Sequence, residues 1–369
     1  MQIEGRFCPQ CGASALPPSV APTVSAGAEL DLGWGKVVVG DVVGEGGMGV
    51  VRRGWLYYNP RGTQAGTPAH PVAVKVLNPL LRGRARARQL FLGEAEALRR
   101  LSHPNIVHFF GLVQDAEQLA LVIELVDGQA LNQVIGWHVV QAQAQRAPCL
   151  PFMRAWHYFS QLLGALAAIH ALGIIHRDVK PSNVLIRRDD VVKLTDFGIA
   201  RVPQDEVRNT GGMAPGTGAY MAPEQVLGRD IDPRADLYGA AIVLYEMLAG
   251  VTPFDSAERN EIMVRTAQVE ETPPPLTRLV PAAPAVLDVL MARALAKDPM
   301  HRFASAIDMG EAFRSALGLS ESAGWTAQQR LAEQAQAISQ MGLASGRTSP
   351  VAATQAEKLR TAIMLAYKA

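Results

Sequence analysis

Between Ile174 and Leu185 the chain sets a carboxylate, an ammonium and a carboxamide within six residues: Asp178, Lys180 and Asn183. Asp178 is of the type that accepts a hydroxyl proton, Lys180 can neutralise phosphoryl charge, and Asn183 can ligate Mg²⁺. A merely polar loop would account for their polarity but not for these types at these spacings. Thirteen residues past Asn183 stands Asp196-Phe197-Gly198, preceded by the short strand pattern Val192 to Thr195. A hard cation wants oxygen ligands, and Asp196 with Asn183 supplies two.

Two further groups suit the same chemistry. In Gly44-Glu45-Gly46-Gly47-Met48-Gly49, glycines at 44, 46 and 49 let backbone N–H groups approach charged oxygens without hindrance. Alone such a loop is often only a turn. A dinucleotide-binding loop would open a helix, whereas here Val50 and Val51 continue a strand. In Val72-Ala73-Val74-Lys75 an ammonium sits inside an apolar strand, where it needs an anion. Glu94 can supply one anion and a nucleotide phosphate another; a surface lysine on an edge strand is the plainer reading.

These residues must be carried by two kinds of structure. Strand patterns run through 37–43, 50–51, 72–76 and Leu119 to Val126. Helical spacing marks 86–101, then 153–171 closed by Gly173, and an apolar helix over 235–249 closed by Gly250. A strand-rich first third followed by a helical remainder argues for two packed lobes. The expected organisation is a CxxC-containing segment and linker at 1–34, a two-lobed domain at 35–318 divided at 125/126, and an Ala/Gln-rich tail at 319–369. Residues 57–71 and about 132–152 read as long surface loops.

Bulk properties exclude other classes. The 369 residues are 49% apolar with a formal net charge of +1, so neither nucleic acid nor an anionic membrane surface is an expected partner. No run reaches the roughly 20 apolar residues of a membrane span. The best candidate, Ala235 to Gly250, is interrupted by Asp236 and Glu246. Three cysteines and no secretion signal in residues 1–20 point to a reducing cytoplasm and a soluble chain.

Taken together, the ordered motifs resemble the eukaryotic-type (Hanks-type) Ser/Thr protein kinases, in particular their bacterial branch, over roughly residues 36–316. The resemblance implies an α+β, bilobal protein-kinase fold, with a β-rich N-lobe holding one main helix and a mostly α-helical C-lobe. It implies transfer of the ATP γ-phosphate to protein Ser/Thr hydroxyls in signal transduction, with Mg²⁺ as cofactor and Mn²⁺ as a substitute. Gly44, Gly46 and Gly49 would cover the phosphates; Lys75 would contact them and pair with Glu94. Val51, Ala73 and Leu185 would sandwich the adenine, with Ile123 as gatekeeper and Glu124 and Val126 as hinge backbone groups. Asp178 would be the base, Lys180 its assistant, and Asn183 and Asp196 the metal ligands. Glu224 would pair with Arg302, and Asp236 would hold the catalytic loop's backbone. Lysine at 180 and Gly216-Thr217 before Tyr220 fit the Ser/Thr class, and Met221-Ala222-Pro223-Glu224 favours a protein substrate. Arg177 beside the base marks enzymes whose activation loop is ordered by phosphorylation, with Thr210 the expected site. A scaffold that binds partners without catalysis is the alternative, and a homodimer stays open.

Cys8-Pro9-Gln10-Cys11 has the shape of half a structural zinc site. Four ligands are needed. Cys149, His70, His138 or a second chain completes the set, or the pair is a remnant that binds no Zn²⁺. In the tail, Leu359, Ile363 and Tyr367 fall on one helical face.

Overall fold

The computed structural model describes residues 24–46, 48–58, 70–115, 118–145, 148–197, 217–256 and 258–319. Thr210, Cys8, Cys11, the tail beyond Leu319, most of the 57–71 loop and the Thr217 side chain lie outside the described residues. The chain divides into two compact units. One draws on Met1–Arg100 and Val107–Leu125, the other on Leu101–Ile106, Val126–Gly198 and Gly216–Ala369.

The first unit is built on a six-stranded antiparallel sheet of order β1-β2-β3-β4-β6-β5. Its strands are β1 (Glu29–Asp31), β2 (Gly35–Gly46), β3 (Gly49–Tyr58), β4 (His70–Leu77), β5 (Phe109–Gln114) and β6 (Leu119–Glu124). β4 is buried along most of its length, as suits a strand inside the sheet. Val72, Val74 and Val76 enter a core with Val37, Val39, Leu56, Val113 and Val122. Ala73 and Lys75 point the other way, on the face they share with their register partners Ile123 and Leu121. Along with α1 (Pro79–Arg82), helix α2 (Ala85–Arg99) completes the unit, with Leu90, Phe91, Glu94, Ala95 and Leu98 buried at helical spacing.

One expectation changes here. Residues 24–31 fall in the segment read as a linker, yet Val24 and Leu30 are buried in the sheet's core and β1 pairs with Lys36–Val38. A three-residue strand is too short to show a period.

The second unit opens with a three-stranded sheet, β7 (Gly128–Ala130), β8 (Val184–Arg187) and β9 (Val192–Leu194). Its helices are α3 (Leu131–Gln145), α4 (Phe152–Ala171), α5 (Pro223–Val226), α6 (Arg234–Ala249), α7 (Glu261–Glu270), α8 (Leu276–Leu279), α9 (Val286–Ala294) and α10 (Ala306–Ala316). α3 corrects the reading of 132–152 as a loop; its alternating Gln and Ala are good helix formers. α6 is buried almost all round, from Ala235 to Leu248 except Glu246, which makes it the unit's central post. Gly250 ends it at φ +76°, a left-handed cap that glycine adopts without strain. α4 packs between α6 and α10, where Phe159 meets Phe313 edge to face at 5.5 Å. Among the described residues no helix is long and apolar enough to cross a membrane.

Candidate active site

In the first unit the Lys75 ammonium lies 2.8 and 3.0 Å from the two Glu94 carboxylate oxygens. Glu94 is 2% exposed and Lys75 13%. The apolar strand and helix fix both side chains, so their charges compensate in a place where either alone would be costly. Val51 stands opposite Lys75 in the β3–β4 register, and Ala73 lies two residues before it on the same face. The Glu124 amide donates to the His108 carbonyl at 2.8 Å.

The glycines differ in what demands them. A Cβ at Gly49 would sit 1.9 Å from the Val76 carbonyl oxygen, so the sheet itself requires glycine there. Gly44 and Gly46 are in the β2–β3 hairpin, have ordinary φ and would meet nothing within 4 Å. Among the described residues nothing in the folded chain gives an internal reason for those two. A ligand approaching the hairpin closely would give one.

In the second unit, Lys180 Nζ (2.9 Å) and Asn183 Nδ2 (3.0 Å) both meet Asp178 Oδ2. Asn183 Nδ2 also donates to the Asp178 carbonyl at 2.9 Å. Both amide hydrogens are thereby used, which orients the amide and leaves Oδ1, a hard oxygen, as its remaining polar atom. The Thr195 amide donates to the Asn183 carbonyl at 3.0 Å, joining the two ends of the β8–β9 hairpin next to Asp196. Leu185 is half-buried on β8 opposite Lys193, and Val126 opens the Val126–Gly198 segment of this unit. Asn183 Oδ1 and the Asp196 carboxylate are oxygen donors of the kind that would suit Mg²⁺.

Backbone strain is concentrated at this loop. Arg177 (φ +66°) and Asp196 (φ +52°) occupy the left-handed region, at a cost of order 1–3 kcal/mol each. Arg177 is held from both sides. Its amide donates to Asp236 Oδ1 at 2.7 Å, and its carbonyl accepts from Gln225 Nε2 at 2.9 Å. Asp236 Oδ2 accepts the His176 amide at 2.8 Å and meets His170 Nε2 at 2.7 Å. His176 is fully buried; that burial pushes its imidazole below the usual pKa, against the pull of Asp236 and Asp178. The neutral ring accepts from the Asp178 amide through Nδ1 (3.3 Å) and donates to the Thr195 carbonyl through Nε2 (3.1 Å). It thus bridges the loop to the strand that leads to Asp196. Phe197 packs against it at 4.9 Å between ring centroids.

Glu224 and Arg302 form a two-pronged buried pair with both N–O distances at 2.7 Å. Sequence reasoning missed the Tyr220–Glu246 contact, in which the hydroxyl donates to the carboxylate at 2.6 Å. The signal was there: a carboxylate inside an apolar helix needs a donor. Cys149, one suggested zinc ligand, is buried with its thiol pushed up to about 11, chiefly by desolvation, so the thiolate that zinc requires is disfavoured.

These arrangements are those of a protein kinase domain, and the comparisons agree. The family model for the protein kinase domain matches residues 37–313. The chain is 35% identical over 282 residues to the serine/threonine-protein kinase PksC of Streptomyces coelicolor, covering 74% of this chain and 48% of that protein. It is 35% identical over 256 residues to PknL of Mycobacterium tuberculosis, covering 68% of this chain and 61% of that one. The aligned regions thus span about half to three-fifths of these relatives' length. Among solved structures, the M. tuberculosis PknI kinase domain superposes with a TM-score of 0.59 at 28% identity, covering 80% of this chain and all of that one. The chain belongs to the protein kinase family, and its fold is the protein kinase fold.

Proposed function

We propose that the chain is an active Ser/Thr protein kinase that moves the γ-phosphate of ATP onto protein hydroxyls. The observation that carries this reading is the convergence of Lys180 and Asn183 on the Asp178 carboxylate. Asp178 accepts the proton of the attacking hydroxyl, and the Lys180 ammonium beside it neutralises charge on the phosphoryl group in transfer. Lys75, aligned by Glu94, holds the non-transferred phosphates, and Gly44 and Gly46 let the hairpin backbone close over them. Bound Mg²⁺ supplies charge neutralisation at the phosphate oxygens. Asn183 Oδ1 and Asp196 would hold it.

Lysine at position 180 and the serine/threonine-kinase names of the relatives support the hydroxyl class of substrate. Autophosphorylation at Thr210, use of Mn²⁺, the domain limits 35–318 and a cytoplasmic setting belong to the same proposal, while zinc at Cys8 and Cys11 and a homodimer stay open alternatives. The test is transfer of labelled phosphate from ATP to a generic basic protein, comparing wild type with Asp178→Asn. Label in the wild type and none in the variant is expected; equal labelling overturns the assignment of the base.

A further inference from the structure

The turn of the β8–β9 hairpin carries a second polar assembly, well removed along the strands from Asn183 and Asp196. At its centre is Asp190, one of three non-glycine residues with positive φ (+61°) among the described residues. α4 grips it through four side chains. The Tyr158 hydroxyl donates to Asp190 Oδ1, and Arg154 Nη2 donates to the same oxygen at 3.2 Å. His157 Nε2 (3.0 Å) and Gln161 Nε2 (3.1 Å) donate to the Asp190 carbonyl. Arg154 Nε also donates to the Tyr158 hydroxyl at 2.8 Å.

Stability alone does not explain this effort. The Arg154 and Asp190 side chains are 44% and 50% exposed, a setting in which an ion pair contributes little and water would satisfy both groups. What the assembly has is an address. β8 and β9 run from this turn directly to the proposed magnesium ligands, with Asn183 immediately before β8 and Asp196 two residues after β9. A chain of hydrogen bonds makes the same journey. Gln161 Oε1 accepts the Val192 amide (3.0 Å) and Asn105 Nδ2 (2.8 Å). The Asn105 side chain also donates to the Val192 carbonyl (3.0 Å). The Asn105 carbonyl then accepts the Leu194 amide (2.8 Å), and Thr195 bonds back to Asn183 (3.0 Å). The links run from α4 through the buried Asn105, in the turn before β5, to β9 and the ligand-bearing ends.

We propose that Asp190 is a positioning residue: clamped on α4, it fixes the tilt of the β8–β9 hairpin and with it the separation of the two magnesium-holding side chains, Asn183 and Asp196. The inference rests on the reading of those two as magnesium ligands. Outer groups that orient metal ligands commonly matter tenfold or more to metal affinity, and one acting through a hairpin should matter somewhat less.

The test reads metal-dependent nucleotide binding, not turnover. ADP affinity is measured by calorimetry with saturating Mg²⁺ and again in EDTA, and the ratio of the two is the magnesium contribution. Asp190→Gly tolerates the left-handed backbone but lacks the carboxylate; Tyr158→Phe keeps the buried ring and loses only the hydroxyl. Both should shrink the ratio about three- to tenfold, with affinity in EDTA unchanged. Asp190→Asn, which keeps an acceptor and tolerates the same φ, should stay within about twofold. If Gly and Phe variants lose thermal stability but keep the wild-type ratio, the residue is structural only and the proposal is wrong. A wild type whose ADP affinity ignores Mg²⁺ removes the kinase reading as well, so the two failures are told apart.

Discussion

Lys75 and Glu94 meet across the strand and helix of the first unit at 2.8 Å, with Glu94 almost wholly removed from water. They lie nineteen positions apart in sequence, so the contact exists only because the fold brings these two side chains together. Breaking such a pair from one side strands a buried charge at a cost of about 3–5 kcal/mol, whereas replacing both partners with apolar groups is often near neutral. Lys75→Met should therefore lower both the melting temperature and phosphate transfer. Lys75→Met combined with Glu94→Leu should recover most of the stability and none of the transfer. Recovery of activity in the double variant would refute the role given to Lys75.

The Arg302–Glu224 pair has a different job. All five guanidinium N–H groups are used: Nε on the Ala296 carbonyl, Nη1 on Glu224 and the Arg234 carbonyl, Nη2 on Glu224 and the Lys297 carbonyl. The plane lies over the Tyr238 ring at 4.8 Å. An ammonium cannot reproduce that fork. Arg302→Lys should cost about 2–4 kcal/mol of unfolding free energy in a urea titration, close to Arg302→Ala. A Lys variant as stable as wild type would show that charge alone suffices.

Asp236 tests the loop. Its carboxylate holds two consecutive amides, one of them on the strained Arg177. Asp236→Asn substitutes a donor for one acceptor and turns an attraction into a clash. Misplacement of a reacting group by about 1 Å costs on the order of a hundredfold, so kcat should fall ten- to a hundredfold with KM for ATP little changed. A fall in KM-dependent binding alone would place the effect elsewhere.

What could be read from the sequence follows from how chemistry constrains residue type. Asp178, Lys180 and Asn183 stand within one loop, and no common structural need produces that trio. Lys75 announced itself as a charge in an apolar strand. Long-range partners carry no such local sign. Asn105 and Gln161 are 56 residues apart and Tyr158 and Asp190 are 32 apart, and each alone is an ordinary polar residue. Asp236 and Glu246 registered first as breaks in an apolar run; in the folded chain they are the two points where the buried helix α6 holds the catalytic loop and the Thr217–Tyr220 turn.

Glu246 also makes stability depend on pH in a defined direction. Burial is the main cause that raises its carboxyl to about 6 from 4.5, with the Tyr220 hydrogen bond opposing and Asp255 adding to the rise. The folded state thus binds the proton more tightly than the unfolded one. The group's favourable contribution is complete below about 4.5 and is lost as pH climbs through about 6. A shift of that size corresponds to about 2 kcal/mol at neutral pH. Glu246→Gln keeps an acceptor for the Tyr220 hydroxyl and has no proton to lose. It should melt higher than wild type at pH 7.5, by an amount that shrinks as the pH is lowered and vanishes near 4.5. Melting curves recorded across that window decide the matter: a difference that grows on acidification would mean that the ionised carboxylate, not the neutral acid, is the form the fold prefers.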